Sequence, residues 1–177
     1  MKHFTRDLIE RYGSPNEAVA RAADAEWEQA LERYEEGLQS IEAQLPEHIR
    51  AFTKLLLHGA LVLSVARQGD KLILVLRKDI PPRDVVILTY TLIGEPAIDS
   101  DALPPDRRTS VMEYLYDEFE LVSDGGRQTY AQSILFGNGW ELSLRFSDVQ
   151  VSVGEPVYPP PGVTFVPAPT PAAPQPA

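Results

Sequence analysis

Apolar positions recur by threes and fours over the first third of the chain and by twos over most of the remainder, so helices are expected first and strands after them. Phe4 to Tyr12 has Phe4, Leu8 and Ile9 or Tyr12 along one side and Gly13 as a stop, which fits a short helix. Ser14-Pro15-Asn16-Glu17 has the form of a capping box with proline at the first helical position, so a second helix should begin there. It should be long. Ala20, Ala23, Trp27, Leu31, Tyr34, Leu38, Ile41 and Leu45 make a narrow apolar seam, while Glu28, Glu32, Glu35, Glu36 and Glu42 face water. A coiled-coil seam is the competing reading, but the repeat is short and Gly37 weakens the helix by about 1 kcal/mol relative to alanine. Pro46 ends or bends it. A third helix, Pro46 to Leu57, would carry Ile49, Phe52 and Leu56 inward, with Gly59 as cap.

From Ala60 the period is that of strands. Residues 61–66 and 71–77 flank the turn Gln68-Gly69-Asp70, a hairpin. Asp84 to Ile93 is a third strand whose near-continuous apolar content suggests a central place covered on both faces. The link Ile80-Pro81-Pro82-Arg83 is stiff and cannot pair as a central strand. Gly94 to Ser110 reads as a proline-punctuated crossing loop. Tyr114 to Val153 then reads as consecutive antiparallel strands around glycine turns. A two-residue Asn138-Gly139 turn would mix the faces. A three-residue loop, Gly137-Asn138-Gly139, with Gly139 in the left-handed conformation, sets Phe136 opposite Trp140, Ile134 opposite Leu142 and Tyr130 opposite Phe146. Leu135, Glu141, Ser133, Ser143, Ala131 and Arg145 fall on the other, wetter face. Upstream, a four-residue loop 123–126 would face Phe119 with Tyr130 and Leu115 with Ile134.

The expected fold is therefore α+β, with N-terminal helices packed on a mainly antiparallel sheet. One domain is expected over residues 1–158, helical to 58 and sheet over 60–154. Residues 159–177 form a Pro/Ala-rich tail expected to be extended or disordered, in which only Val163, Phe165 and Val166 could pack. Pro171-Ala172-Ala173-Pro174 matches a PxxP ligand, but without the nearby Arg or Lys such a ligand uses, and a solvated tail is the simpler reading.

Charge and composition narrow the functions. A net charge of −10 with no basic patch argues against a nucleic-acid backbone as partner. The absence of cysteine removes disulfides, thiolate zinc sites and thiol nucleophiles. The charged start and the strand-sized apolar runs suit neither a signal peptide nor a membrane span, and cytoplasmic residence is the default. Asp99-Ser100-Asp101 starts like a calcium loop, but two prolines come after it and no Glu closes it. No metal or cofactor is expected.

Candidate chemistry is sparse. His3, His48 and His58 have no ligand spacing. His58, at a helix-to-strand junction, reads as an imidazole satisfied by nearby backbone, with pairing to a strand carboxylate as the functional alternative. Asn138 is a further candidate binding position, though turn chemistry accounts for it. The densest acidic cluster is Asp117, Glu118 and Glu120. Strand alternation puts Glu118 and Glu120 with Tyr116 and turns Asp117 inward with Leu115 and Phe119. An inward carboxylate must find a partner or shift its pKa. The plain reading is a hydrogen bond to Gln132, placed opposite by the register above; the functional reading is an acidic site.

The strings 57–65, Gly69-Asp70-Lys71-Leu72, Leu115-Tyr116-Asp117-Glu118 and 133–142, with the opening Met1-Lys2-His3-Phe4-Thr5, resemble the DUF4085-type family of uncharacterised bacterial proteins. The sheet is similar to those of small immunity proteins that neutralise contact-delivered toxins. Gly59 stands where an acidic residue would be expected after the histidine. The resemblance implies no established activity. It points to a non-catalytic protein-interaction domain, of an immunity- or antitoxin-like kind, with a protein partner. The alternatives are a small-ligand binder or enzyme using Asp117, Glu118 and His58, and a structural homodimer.

Overall fold

The computed structural model describes residues 1–99, 112–124 and 126–155. The crossing loop beyond Asp99, the calcium-like run from Ser100 onward and the tail with its PxxP motif lie outside the described residues. Within them the α+β class holds. Three helices, α1 (Arg6–Tyr12), α2 (Glu17–Glu42) and α3 (Glu47–Phe52), precede strands β1 (Ala60–Gln68), β2 (Lys71–Arg77), β3 (Val85–Leu92), β4 (Ala97–Asp99), β5 (Glu113–Asp124), β6 (Arg127–Phe136) and β7 (Glu141–Gly154).

The antiparallel sheet closes on itself. Its order is β3-β2-β1-β5-β6-β7-β4, and β3 also pairs with β7. β7 serves two neighbours in turn: β6 over Glu141–Phe146 and β3 over Phe146–Gly154. The β1–β5 seam is short, Ala60 opposite Tyr114 and Leu61 opposite Glu113. Register shifts fall at Leu63 in β1, Leu115 in β5 and Ser147 in β7. Each extra residue bends its strand and sharpens the twist, which is what lets the sheet curl into a ring.

The Gly137–Gly139 loop is as the apolar pattern requires. Phe136 N donates to Trp140 O at 2.9 Å and Gly139 takes φ +85°, with Ile134 opposite Leu142 and Tyr130 opposite Phe146. The upstream hairpin differs from expectation. Asp124 pairs with Arg127, so Phe119 faces Gln132 and Leu121 faces Tyr130. The shift is two residues, which preserves the faces. The bulge at Leu115 moves Leu115 off the inner row and brings Tyr114 onto it, opposite Phe136.

Further corrections concern edges of elements. Asn16 caps α2, its side chain accepting from Ala18 N and Val19 N, because Asn16 is the last residue in extended geometry. Ala23 and Ala30 are the buried residues of that helix and Leu31 is exposed. α3 ends at Phe52, so the chain leaves helical spacing and Leu57 goes inward at 4% exposure while Leu56 stands 85% exposed. β3 is central in pairing, but only Val86, Leu88, Tyr90 and Leu92 are buried; its other face is half-exposed.

The core fills the ring. Phe52 from α3 meets Tyr90, Phe119 and Phe146 edge-on at 6.0, 6.2 and 6.3 Å, and Leu38 and Ile41 of α2 pack on the same core. The other face of the β6–β7 hairpin is the wetter one, as expected, with Ala131, Ser133, Glu141 and Ser143 half-buried and Arg145 exposed; Leu135 alone of that row is buried. Phe4, Trp27 and Tyr116 form an aromatic cluster on that side, with centroids 4.6–5.6 Å apart. Among the described residues no helix is long and apolar enough to cross a membrane.

Candidate functional site

β5 concentrates the polar groups whose surroundings are unusual, and it does so because both its faces are covered. On the inner side lies a chain of hydrogen bonds. Tyr90 Oη donates to Gln132 Oε1 at 2.8 Å, and Gln132 Nε2 reaches Tyr114 Oη at 3.1 Å and Asp117 Oδ2 at 2.8 Å. Gln132 meets Asp117 diagonally rather than from the opposite position, which Ile134 occupies. Burial pushes the Asp117 carboxyl above its ordinary value, against the pull of hydrogen bonds from Gln132 and Tyr114. Burial, then the Asp117 charge, pushes the Tyr90 and Tyr114 phenols up. The arrangement satisfies every member, as a buried polar network must.

On the outer side Glu118, 3% exposed, grips the start of the chain. Its Oε1 accepts from His3 N at 2.7 Å and Phe4 N at 2.8 Å, and its Oε2 from Lys2 N at 2.7 Å. Three successive backbone N–H groups converging on one carboxylate form an anion nest. Lys2 Nζ pairs with Glu120 at 2.6 Å, and the Met1 amino group pairs with Glu141. The hydrogen bond to Glu120 raises the Lys2 pKa.

The candidate residues are thus not brought to one place. Asp117 faces the core and Glu118 the N-terminal segment. His58 is exposed, its Nδ1 donating to Leu115 O at 2.7 Å and its ring 4.9 Å from Tyr116. Asn138 is buried, and its Oδ1 accepts from Trp140 N at 3.1 Å, holding the turn. Among the described residues no group of three or more His, Asp or Glu is arranged to hold a metal.

Sequence reasoning missed the role of Tyr34. Its hydroxyl accepts from Phe119 N at 3.0 Å, serving the edge of β5 that β1 has already left. Burial, then nearby Asp117, raises its pKa. Position in the helical seam marked Tyr34 as inward, but nothing local marks which backbone group it would meet. Two open features were also missed. A groove of about 260 Å³ runs between α2 and β5, where Gly37 faces open space beside Leu38, Tyr34 and Leu121. A cleft of about 530 Å³ lies between α3 and β7.

The class defined is an α+β protein with a curled antiparallel sheet and a filled interior. No protein-family model matches the chain, and no curated protein matches it.

Proposed function

We propose that this chain is a non-catalytic, cytoplasmic protein-interaction domain, of the immunity or antitoxin kind that its resemblance to the DUF4085-type family suggests, and that α2 presents the binding face. The observation that carries the reading is the division of labour among the carboxylates. Asp117 and Glu118 are engaged within the fold, whereas Glu28, Glu32, Glu35 and Glu36 stand exposed along α2. Gln132, Tyr90 and Tyr114 leave no polar atom aimed into open space. A row of solvated carboxylates on a rigid helix suits a partner with a basic surface, and it acts chiefly on association rate and partner choice.

The test is capture from the native cell extract at low salt and at 0.5 M salt, by the wild type and by a Glu28→Lys, Glu32→Lys, Glu35→Lys triple variant. A specific protein retained at low salt by the wild type, and lost with the variant, supports the reading. Equal retention by both chains removes α2 from it, and recovery of no protein at all removes the reading.

A further inference from the structure

The groove between α2 and β5 has basic groups at one end and apolar ones beyond them, and the fold builds that polarity. Tyr34 Oη accepts from Phe119 N at 3.0 Å, which fixes the spacing of helix and strand. Glu118 holds the backbone of Lys2, His3 and Phe4, and the half-buried His3 ring comes to 5.8 Å from that of Tyr34. Arg33, exposed and next to Tyr34 in the helix, lines the groove together with Lys2 and His3. Leu38 and Ile41 come one and two turns after Tyr34, so they line it about 6 and 10 Å further along the helix axis. With Leu121 they are only partly buried against the core, which leaves apolar surface on the groove wall.

The charges select a guest. Glu118 is matched by three backbone N–H groups and Glu120 by Lys2 Nζ at 2.6 Å, so neither carboxylate takes the Arg33 guanidinium. A guanidinium is a planar fork of donors that fits a carboxylate with two parallel hydrogen bonds. It fits a phosphate as well, but the second charge of a phosphate would add to the repulsion from Glu118 and Glu120. The groove holds about 260 Å³, under the range of about 300–1,000 Å³ usual for drug-sized ligands. Its guest is therefore a small monoanion with an apolar body.

We propose that the α2–β5 groove binds a small apolar carboxylic acid as its anion, with the carboxylate at the Arg33 and His3 end and the hydrocarbon along Leu38, Ile41 and Leu121. Gly37, one helical turn from Arg33, gives the hydrocarbon its room: a Cβ built there meets no atom within 4 Å among the described residues. A glycine inside a helix weakens it, and here it widens the groove at the turn where head and tail of the guest meet. The acid is bound, not transformed. The site does not rest on the acidic row of α2, whose carboxylates the guest does not touch.

The test is a titration of the full chain with octanoate followed by amide NMR, with acetate as the probe that lacks the tail and octylamine as the probe of opposite charge. Octanoate should shift the amides of Gly37, Leu38, Phe119 and Leu121 saturably, and both other probes should bind more weakly. Arg33→Glu, at an exposed position, should weaken octanoate binding roughly ten-fold or more, the loss expected for a hydrogen bond between charged groups. Gly37→Leu should abolish the shifts while its unfolding midpoint stays at or above that of the wild type, because leucine favours the helix. No saturable shift up to about 10 mM octanoate, octylamine binding as tightly as octanoate, or equal affinity in the wild type and Arg33→Glu each overturns the proposal. Shifts confined to the α3–β7 cleft also overturn it and place the acid there.

Discussion

Asp117 and Glu118 are neighbours in sequence on opposite faces of β5, and each has a carboxylate spent on holding a different part of the molecule. Asp117 accepts from Gln132 Nε2 at 2.8 Å inside the ring. Glu118 accepts from three N-terminal backbone amides outside it. The alternation of a strand therefore turns one dipeptide into two unrelated structural devices.

Removing the outer device should release the N-terminal segment. Hydrogen bonds to a charged group contribute about 1.5–3 kcal/mol each and are not additive, so Glu118→Ala is expected to cost about 3 kcal/mol or more in urea unfolding. The amides of Lys2, His3 and Phe4 should lose protection in the same variant. A loss below about 0.5 kcal/mol would mean that Phe4, packed on Trp27 and Tyr116, holds the segment unaided.

The inner device predicts a pH dependence of definite sign. Asp117 has a folded pKa raised above 3.8, by burial first. Below the unfolded value both states are protonated and nothing is lost. As pH climbs from near 3.8 through the raised folded value, the unfolded state ionises first and this residue's contribution to stability falls. Asp117→Asn keeps an acceptor for Gln132 and Tyr114 without the buried charge. Its melting temperature should exceed that of the wild type at pH 7, and the gap should close as pH drops below 4. A gap that widened on acidification would reverse the assignment.

The end of α3 offers a paired test. Leu57 is 4% exposed and Leu56 is 85% exposed. Leu57→Ala should cost about 2–5 kcal/mol, and Leu56→Ala should stay within about 0.5 kcal/mol. The reverse order would restore helical spacing through Leu56. Two denaturation curves decide it.

Local chemistry determined a good deal of this protein from the sequence alone. The Gly137–Gly139 loop and its register come from face matching, because any one-residue slip would bury Glu141 and expose Leu142. The helix-to-strand change at Ala60 comes from periodicity, and an inward Asp117 comes from alternation; its partner Gln132 meets it diagonally, in a register two residues from the one the loop length suggested. What the sequence could not fix is the meeting of distant segments. The pairing of β3 with β7 that closes the sheet, the Tyr34 hydroxyl at Phe119, and the amides of residues 2–4 on Glu118 join positions 85 to 116 residues apart in the longest cases. A two-residue register slip, and a bulge that trades Leu115 for Tyr114, leave the apolar pattern of each strand satisfied. Only the three-dimensional closure, which must fill the ring and give Asp117, Gln132, Tyr90 and Tyr114 partners inside it, chooses between them.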